Sequence, residues 1–311
     1  MPKVFIIVLN WNGLKDTEEC IGSLKKIDYP DYKIVVVDNG STDGSDEIIP
    51  KKYFEKVAFI ETKSNLGFAG GNNVGIRYAL DSPAGERADY ILLLNNDTTV
   101  EPDFLSKLVK AAESDKKIGI VGPTIFFYDQ PDTVWFGGGK INWTKIRGSH
   151  LDYNTVRKRD HALSDEEIEE EKNKVVDYIT GCCLLAKREV VEKIGYLSED
   201  YFLYYEDADW CLRAKKAGWQ SVAVPTSYIY HKQSKSTVEF SYPYIYYHSR
   251  NGLLFASRFG SKLLAYLISF WIFGKQIIKL VFSYHKAWAK AALRGVLDFW
   301  MGNKGKLGGY Y

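Results

Sequence analysis

The first 122 residues alternate short apolar runs with stretches whose apolar residues have helical spacing. The runs Val4 to Leu9 and Ile91 to Leu94 contain no polar residue, which is typical of strands buried on both faces of a sheet. Between such runs lie amphipathic segments, for example Lys15 to Ile27. This alternation predicts an α/β fold with a parallel, doubly wound sheet that is covered by helices on both faces.

Polar side chains follow four of the predicted strands at the points where these strands end. One polar turn residue would need no functional explanation. In open α/β sheets, however, ligands bind in the crevice at the carboxyl ends of the strands, so four polar ends together predict a binding site. The residues at these ends are Asn10, Asn12, Asp38, Asn39, Ser41, Asn65, Gly67, Asn95, Asn96 and Asp97.

The residues after the first strand limit the kinds of nucleotide site that the chain can form. A dinucleotide-binding Gly-x-Gly-x-x-Gly motif is expected directly after that strand, but Asn10 to Gly13 read Asn-Trp-Asn-Gly. A P-loop lysine motif is also missing. The sequence therefore predicts that Asp and Asn side chains bind the base and ribose of a nucleotide, with a metal ion on its phosphates.

A second informative stretch begins an amphipathic helix with Glu206 and Asp207. Acidic residues in the first turn of a helix contribute up to about 1 kcal/mol through the helix dipole, and Asp209 is spaced to pair with Arg213. Taken alone, the stretch has a sufficient structural explanation. The acid-rich residues 160–177 are interpreted as a solvated helix or flap without chemistry.

Seven stretches, in order, resemble inverting family-2 glycosyltransferases of GT-A fold, close to the rhamnosyltransferase-like branch. They are VLNWNG, VVDNGSTDGS, NLGFAGGNN, LLNNDTTVEPDFL, GCCLLAKREV, FLYYEDADWCLR and YIYHKQSKS, and they span roughly residues 3 to 235. The similarity extends into YYHSRNGLL and GVLDFWMGNKGK. The resemblance implies a GT-A-type mixed sheet in a catalytic domain of residues 1–239. Its Rossmann-like half, residues 1–122, would bind the nucleotide sugar, and residues 123–239 would form the acceptor and catalytic half.

The resemblance also implies roles for individual residues. Asp207 corresponds to the general base, with Glu206 beside it. The Asp-x-Asp metal motif falls on Asn95, Asn96 and Asp97, so only its last carboxylate is present, and His231 corresponds to a metal-binding histidine. Because a diphosphate and waters supply most of the octahedral shell of Mg²⁺ or Mn²⁺, Asp97 and His231 are expected to suffice as protein ligands.

The remaining candidate residues divide between the two substrates. The polar strand-end residues from Asn10 to Asn96 are expected to bind the donor, and Lys232 and Lys235 are expected over its phosphates. Gly181, Tyr204 and Trp210 are expected on the acceptor side. Inverting transfer needs one base and one Lewis acid, whereas a retaining double displacement would need a separate nucleophile, for which the sequence offers no candidate.

The sequence thus predicts transfer of a sugar from a nucleotide-diphosphate sugar to a saccharide or lipid-linked acceptor in cell-surface polysaccharide biosynthesis. The branch suggests dTDP-rhamnose as the donor. One alternative is a sugar nucleotidyltransferase, which should have a Gly-rich, Arg-bearing loop after the first strand. Another alternative is a catalytically inactive carbohydrate-binding scaffold. The incomplete metal motif supports this alternative, whereas the intact Asp207 argues against it.

Residues 240–311 form a basic, aromatic tail with ten Lys and Arg residues and one acidic residue, Asp298. The longest uncharged apolar run, Leu263 to Gly274, is shorter than the roughly 20 residues that a membrane-spanning helix needs. On one helix, Lys275, Lys279, Lys286 and Lys290 would lie within about 60° of one another. We therefore expect a helical region on the cytoplasmic face of a membrane.

Two alternatives remain for this tail: it packs on its own catalytic domain, or on a second copy of the chain in a homodimer. A nucleic acid is not expected as a partner, because the apolar surface is too extensive for a phosphate-tracking groove. The four cysteines are scattered, which predicts reduced thiols in a cytoplasmic protein.

Overall fold

The computed structural model describes residues 1–54, 57–83, 86–144, 147–157, 172–232, 240–282 and 286–309. Lys235 and most of the acid-rich stretch of residues 160–177 lie outside these ranges. Within them, ten strands form one mixed sheet.

The first half of the chain folds as its apolar pattern predicts. Strands β1, β2, β3 and β4 are parallel neighbours, and both alternating sets of side chains on β1 and β4 are almost completely buried, so both faces of the sheet are covered. The elements are β1 (Val4–Asn10), α1 (Leu14–Leu24), β2 (Tyr32–Asp38), α2 (Ser45–Tyr53), β3 (Val57–Glu61), α3 (Gly67–Asp81) and β4 (Tyr90–Asn95).

The second half adds further strands on the far side of β4. Its elements are β5 (Thr98–Val100), α4 (Phe104–Glu113), β6 (Ile118–Phe127), β7 (Val134–Phe136), β8 (Gly139–Asn142), β9 (Arg147–His150), β10 (Lys174–Val176), β11 (Cys183–Lys187), α5 (Arg188–Ile194), α6 (Glu206–Lys216) and β12 (Gln220–His231). Cys20, Cys182, Cys183 and Cys211 are all buried and free of disulfides, as predicted.

The strand order is β10-β12-β6-β11-β4-β1-β2-β3, with β5 paired to β12 and β7 paired to β6. Beyond the parallel strands β1 to β4, the short strands β5, β7 and β10 each pair antiparallel with a neighbour, and so does β11. β11 lies between β4 and β6 and is antiparallel to both, with Cys183 opposite Leu94. An unbroken apolar run is equally compatible with either strand direction, so the sequence pattern alone does not reveal this reversal. The resulting mixed sheet agrees with the GT-A resemblance. The reversal also sets the start of β11 beside the end of β4, where Asn95 N donates to Cys182 O at 2.9 Å.

Strand β12 connects the two halves at the edge where the polar residues lie. It runs parallel to β6, with an irregularity between Val224 and Tyr228, and its last residues pair antiparallel with β5. In this register His231 is opposite Thr98. A residue at the end of a long second-half strand is thereby placed next to Asp97.

The C-terminal residues are helical, as predicted, in α7 (Tyr242–Phe259), α8 (Lys262–Phe282) and α9 (Lys286–Met301). The helix α7 is part of the catalytic domain, because Leu253, Phe255 and Ala256 are buried in the same apolar core as the sheet. Residues 240–309 therefore do not form a core of their own, and α7 realises the alternative in which the tail packs on the catalytic domain.

The helices α8 and α9 pack against each other as an antiparallel pair. The Tyr266 and Phe299 rings lie 5.2 Å apart, and Trp300 Nε1 donates to Ser269 Oγ at 2.7 Å. Lys275 and Lys279 are consequently on α8, whereas the other two lysines of the predicted stripe are on α9. The prediction of one stripe formed by all four lysines is therefore wrong, because one helix ends at Phe282 and the next begins at Lys286.

By length and composition alone, α8 is one helix among the described residues that could cross a membrane. It spans 21 residues, and only 11% of its most apolar window is buried. Its buried side chains are Ala265 and Ser269. A large apolar surface of α8 is therefore exposed.

Candidate active site at the carboxyl edge of the sheet

The side chain of Asn10 connects three other segments at this edge: the loop after β2, helix α1 and the residues after β4. Its Nδ2 donates to Asp38 Oδ1 at 2.7 Å and to Ser41 Oγ at 3.2 Å, and its Oδ1 accepts from Thr17 Oγ1 at 2.8 Å. The same oxygen also accepts from Asn96 Nδ2 at 3.2 Å. Asn10 is completely buried, and these contacts occupy both ends of its amide. Its role is to hold the loops together.

Asp38 and Asn39 are also buried behind the surface of the site. Asp38 Oδ2 accepts from Ser41 N at 2.9 Å, while Asn39 Oδ1 accepts from Leu66 N at 3.0 Å and its Nδ2 donates to Gly67 O at 3.1 Å. Both side chains have at most 2% of their surface exposed. The structure therefore places them, like Asn10, under the loops, and their contact with a nucleotide stays a prediction.

Other predicted donor residues do reach the surface of this edge. Asn12 is exposed in a left-handed conformation (φ 52°), and its Oδ1 accepts from Thr42 N at 2.7 Å. Asn65 Oδ1 accepts from Gly67 N at 2.8 Å, so it begins α3 by capping an unsatisfied N–H. The partly exposed residues of the predicted donor set are Ser41, Asn65, Asn95 and Asn96, and Gly67 is buried beneath them. These side chains are the ones available to a nucleotide.

Asp97 and His231 are brought together as the resemblance implied. His231 Nε2 lies 3.2 Å from Asp97 Oδ2, and both side chains are buried. The contact follows from the antiparallel pairing of β5 with the end of β12. The ring of Trp135 packs edge-on against the imidazole at 4.6 Å between centroids, which fixes its orientation.

The electrostatics of this pair suit a cation. Burial by itself lowers the pKa of His231, but the nearby Cys182 and the Asp97 carboxylate outweigh it and hold the pKa well above its usual value. His231 Nδ1 is buried and has no hydrogen-bond partner among the described residues. A positive charge, either a proton or a metal ion, is therefore favoured between the two side chains.

The donor set fits a divalent cation that is shared with a diphosphate. One carboxylate and one imidazole leave most of an octahedral shell for phosphate oxygens and waters. Within the described residues there is no cluster of three or more His, Cys, Asp or Glu side chains that could hold a metal ion. A cation at this pair would take most of its ligands from a diphosphate and water.

Glu206 and Asp207 begin helix α6 on the other side of the start of β11. Asp207 Oδ2 accepts from Gly181 N at 2.9 Å, and its Oδ1 accepts from Ala208 N at 2.7 Å. Burial raises the pKa of Asp207, and these hydrogen bonds partly oppose that rise. A raised pKa makes the Asp207 carboxylate a stronger base than an exposed aspartate.

Glu206 differs from Asp207 in its surroundings. It is only 4% exposed, and its Oε2 has no hydrogen-bond partner within the part of the chain that the structure describes. Burial raises its pKa well above the usual value, and the adjacent Asp207 carboxylate adds to this effect. The protonated form of Glu206 is therefore favoured beside the ionised Asp207.

The three predicted acceptor-side residues have different positions. Gly181 lies against Asp207, and a Cβ atom at this position would come within 2.7 Å of the Phe68 ring. Tyr204 is half-buried and stacks on His248 at 4.5 Å. Trp210 is completely buried, with Nε1 donating to Gly195 O at 2.8 Å. Its side chain has no exposed surface here, and its acceptor contact stays a prediction.

Lys232 does not project into the site as predicted. Its ammonium group contacts Asp16 Oδ1 at 2.8 Å and Glu19 Oε2 at 2.6 Å, both on α1. These two carboxylates raise the pKa of Lys232 and neutralise the charge that was expected over the phosphates. Lys232 therefore ties the end of β12 to α1, while the other predicted phosphate ligand, Lys235, lies outside the described residues.

Two residues that contact the loop before Asp207 were not identified from the sequence. Arg250 and Asn251 on α7 are buried and donate to backbone carbonyls of residues 200–204. The signal was present in the stretch YYHSRNGLL, whose resemblance carried no role for either residue. Burying an arginine side chain costs free energy unless its N–H groups are hydrogen-bonded. An arginine within an aromatic segment is therefore a candidate for a buried structural contact.

Comparisons with known proteins agree with this geometry. The sequence profile of glycosyl transferase family 2 matches residues 5–195. An N-acetylglucosaminyl-diphospho-decaprenol L-rhamnosyltransferase of Mycobacterium tuberculosis is 28% identical over 75% of this chain and 76% of its own length. A low-salt glycan biosynthesis hexosyltransferase of Haloferax volcanii is 26% identical over 97% of this chain and 92% of its own.

The fold is also similar to a solved glycosyltransferase structure. The mannosyltransferase of Pyrobaculum calidifontis in complex with GDP-Man and Mn²⁺ superimposes with a TM-score of 0.56. The similarity covers 97% of this chain and 87% of that one at 15% sequence identity, a level that shows the fold alone.

Because the profile match covers more than half of the chain, the protein belongs to glycosyl transferase family 2. The GT-A fold and the resemblance to the rhamnosyltransferase-like branch are both confirmed. Family membership also decides against the sugar nucleotidyltransferase alternative.

The environment of Glu206 predicts a pH-dependent stability. Its folded-state pKa is raised, so the folded protein binds this proton more tightly than the unfolded chain does. The stability that protonated Glu206 contributes is lost as the pH rises from 4.5, the ordinary pKa of a glutamate, toward the raised pKa of the folded state. Because glutamine cannot ionise, Glu206→Gln is expected to gain stability relative to wild type between about pH 5 and pH 8.

Thermal unfolding across this pH range measures the effect. Glu189→Gln is the control, since Glu189 is an exposed acidic residue in the first turn of α5. A difference between Glu206→Gln and wild type that stays constant with pH would contradict the raised pKa.

Proposed function

We propose that the chain transfers a sugar, with inversion, from a nucleotide-diphosphate sugar to a lipid-linked saccharide. One observation carries this proposal. Gly181 and Cys182 are adjacent, and they contact the two parts of the site: Gly181 N donates to Asp207, and Cys182 O accepts from Asn95 at the start of the Asn-Asn-Asp motif. A base and a cation-binding pair therefore flank one short segment of backbone.

The base supports a single displacement. Asp207 accepts the proton of the acceptor hydroxyl while that oxygen forms a bond to the anomeric carbon. The bond between this carbon and the diphosphate oxygen breaks, and its electron pair leaves with the nucleotide diphosphate. Attack on the side opposite the leaving group inverts the configuration, and no covalent enzyme intermediate is formed.

Asp97 and His231 are the residues that would hold Mg²⁺ or Mn²⁺. When bound, the cation neutralises the charge of the departing diphosphate. Asp97 would supply an oxygen ligand and His231 a nitrogen ligand after loss of its proton. The exposed amides and hydroxyl of Asn12, Ser41 and Asn65 would orient the nucleoside part of the donor.

The classes of donor and acceptor are proposed from the relatives. The Mycobacterium tuberculosis relative is named for rhamnosyl transfer to a diphospho-decaprenol carrier, and a Shigella flexneri relative for dTDP-rhamnosyl transfer. We propose dTDP-rhamnose as the donor and a polyprenyl-diphosphate saccharide as the acceptor, in the synthesis of a cell-surface polysaccharide.

The exposed face of α8 supports a position on the cytoplasmic face of a membrane. At 100° per residue, Leu263, Leu267, Trp271, Ile278 and Val281 lie within about 80° of one another, and each is more than half exposed. Exposed lysines accompany this stripe on α8 and at the start of α9. Each Lys near an anionic surface adds about 1 kcal/mol to binding. Because the opposite face of α8 is packed on α9, we propose that α8 lies in the interface and does not cross the bilayer.

Replacement of the base is expected to affect turnover selectively. Asp207→Asn should lower kcat by about 10²-fold or more, as expected for the loss of a general base, while donor affinity stays nearly unchanged. Transfer kinetics and calorimetric titration with dTDP-rhamnose measure the two quantities. Asp46→Asn is a matched control in the first turn of α2. Normal turnover in Asp207→Asn would rule out its role as the base.

Replacement of the cation pair is expected to affect metal-dependent binding. Asp97→Ala should abolish the increase in nucleotide-diphosphate affinity that Mn²⁺ produces, and His231→Ala should reduce it, since each removes one protein ligand. Calorimetry with dTDP, with and without Mn²⁺, tests both variants. Glu61→Ala is the control, because Glu61 is an exposed carboxylate at the end of β3. The same Mn²⁺ dependence in wild type and in both variants would contradict the assignment.

Membrane binding can be tested without removing α7 from the core. The triple variant Leu263→Gln, Leu267→Gln, Ile278→Gln should fail to float with vesicles of phosphatidylcholine and phosphatidylglycerol, whereas wild type should float at low salt. Ile48→Gln with Phe54→Gln is the control for exposed apolar residues elsewhere. Flotation of neither protein would refute the proposal. A wild-type dimer that the triple variant converts to a monomer would instead assign this face to self-association.

A further inference from the structure

The loop that precedes Asp207 has an unusual backbone. Phe202, Tyr204 and Tyr205 have positive φ angles of 65°, 67° and 77°. Non-glycine residues are disfavoured in this region, especially large ones, and persist there only where the surrounding structure holds them. Since Tyr205 is the residue that immediately precedes α6, the conformation of this loop sets where the helix and its carboxylates begin.

The backbone carbonyl groups of residues 200–204 accept hydrogen bonds almost entirely from residues outside this loop. Asn251 Nδ2 donates to Tyr201 O at 3.0 Å, to Leu203 O at 2.7 Å and to Tyr204 O at 3.1 Å. Arg250 Nη2 donates to Tyr201 O at 3.0 Å and to Asp200 O at 3.3 Å. Two neighbouring side chains of α7 thus contact four of five successive carbonyls.

The remaining carbonyl is held by the donor half of the protein. Phe68 N, in the first turn of α3, donates to Phe202 O at 2.8 Å. The Phe202 ring also packs so closely on Gly67 that a Cβ atom there would come within 2.5 Å of it. Farther back, Asn73 Nδ2 donates to Leu197 O at 3.0 Å. The loop is therefore fixed between α3 and α7.

Burying the polar side chains of Arg250 and Asn251 costs free energy that an apolar side chain in the same place would not. Arg250 is 1% exposed, and its contacts are carbonyl oxygens, the Tyr246 hydroxyl and the Asn251 amide oxygen. A buried cation of this kind is tolerated only when its N–H groups are satisfied. Here they are satisfied by the loop that leads to the base and by Gly305 O at 2.7 Å, which ties the loop to the C-terminal segment.

We propose that Asn251 and Arg250 are positioning residues for the transfer reaction: they hold the backbone of residues 200–204 so that Asp207 lies against Gly181. This inference rests on the proposed role of Asp207 as the base. It makes α7 a working part of the catalytic site, although α7 lies outside the stretch of residues 5–195 that matches the family profile.

The first test compares Asn251→Ala and Asn251→Asp with wild type in transfer from dTDP-rhamnose. Both variants are expected to lower kcat by about 10- to 100-fold, because a small misplacement of a catalytic group has effects of this size. Donor affinity by calorimetry should stay within a few-fold. Asn251→Asp keeps the shape of the side chain but replaces its N–H donors, so activity in this variant would show that packing alone is needed and would overturn the proposal.

The second test uses the pH profile of kcat. Loosening the loop lets water reach Asp207, which should lower its pKa and shift the acidic limb of the profile to lower pH. A loss of stability without a positioning role would leave the limb unchanged in the folded fraction. Asn303→Ala is the matched control, since Asn303 Nδ2 donates to Asp298 and not to the loop. Its expected profile is that of wild type.

Arg250→Lys covers the case in which the Asn251 variants fail to fold. It keeps the buried charge but has one ammonium group where the guanidinium contacted several carbonyls. Hydrogen exchange of the peptide covering residues 198–209, measured by mass spectrometry, is expected to be faster than in wild type. Unchanged exchange together with unchanged kcat would refute the positioning role.

The two hypotheses fail in different ways. If wild type shows no transfer from any nucleotide sugar, the proposed function fails while the exchange result still reports on the loop. If wild type is active and Asn251→Ala keeps its kcat and its pH profile, the positioning inference alone fails.

Discussion

The donor side of this protein depends on one buried amide. Asn10 ends β1, and its side chain reaches the loop after β2 through Asp38 and Ser41, the start of α1 through Thr17, and the end of β4 through Asn96. Parallel strands bring these loops to one edge but do not set their spacing. Because a buried amide must satisfy both its N–H groups and its carbonyl oxygen, Asn10 holds these three segments in one arrangement with the end of β1. The exposed residues that could contact a nucleotide, such as Asn12 and Asn65, take their positions from this buried layer.

The catalytic side depends on a comparable arrangement around residues 200–205. This loop has no ladder of its own, and its carbonyls are bound by Asn251 and Arg250 from α7 and by Phe68 N from α3. Asp207, the proposed base, is thus connected through this loop to the start of α3 at Gly67 and Phe68. The C-terminal region then has two parts with different surroundings: α7 is buried in the catalytic core, while α8 exposes an apolar surface. The helix α7 shares the apolar core of the sheet with elements that precede residue 240.

The errors of prediction have specific physical causes. The mixed sheet agrees with the resemblance, but the direction of β11 could not be read from its apolar run, because a run buried on both faces looks the same in either direction. Trp210 was expected at the acceptor from its place near Asp207 in the sequence, but the structure buries its side chain completely, with Nε1 donating to Gly195 O. Lys232 was expected at the phosphates from its place after His231, but Asp16 and Glu19, more than 200 residues earlier in the chain, hold its charge. The predicted stripe of four lysines is wrong because it assumed one continuous helix, whereas α8 and α9 are two helices that pack against each other.

The amino-acid sequence by itself determined the alternation of strands and helices, the edge of the sheet at which the polar residues meet, and the identity of the family. These properties follow from hydrophobic periodicity and from motifs whose members lie close together along the chain. Only the tertiary structure decided which polar residues are exposed and which are buried beneath them, that His231 lies against Asp97, and that α7 holds the loop before Asp207. Each of these depends on a contact between distant segments, such as the pairing of β5 with β12 or of Asn251 with Leu203. Such contacts arise when the whole core packs, and no local pattern of residues records them.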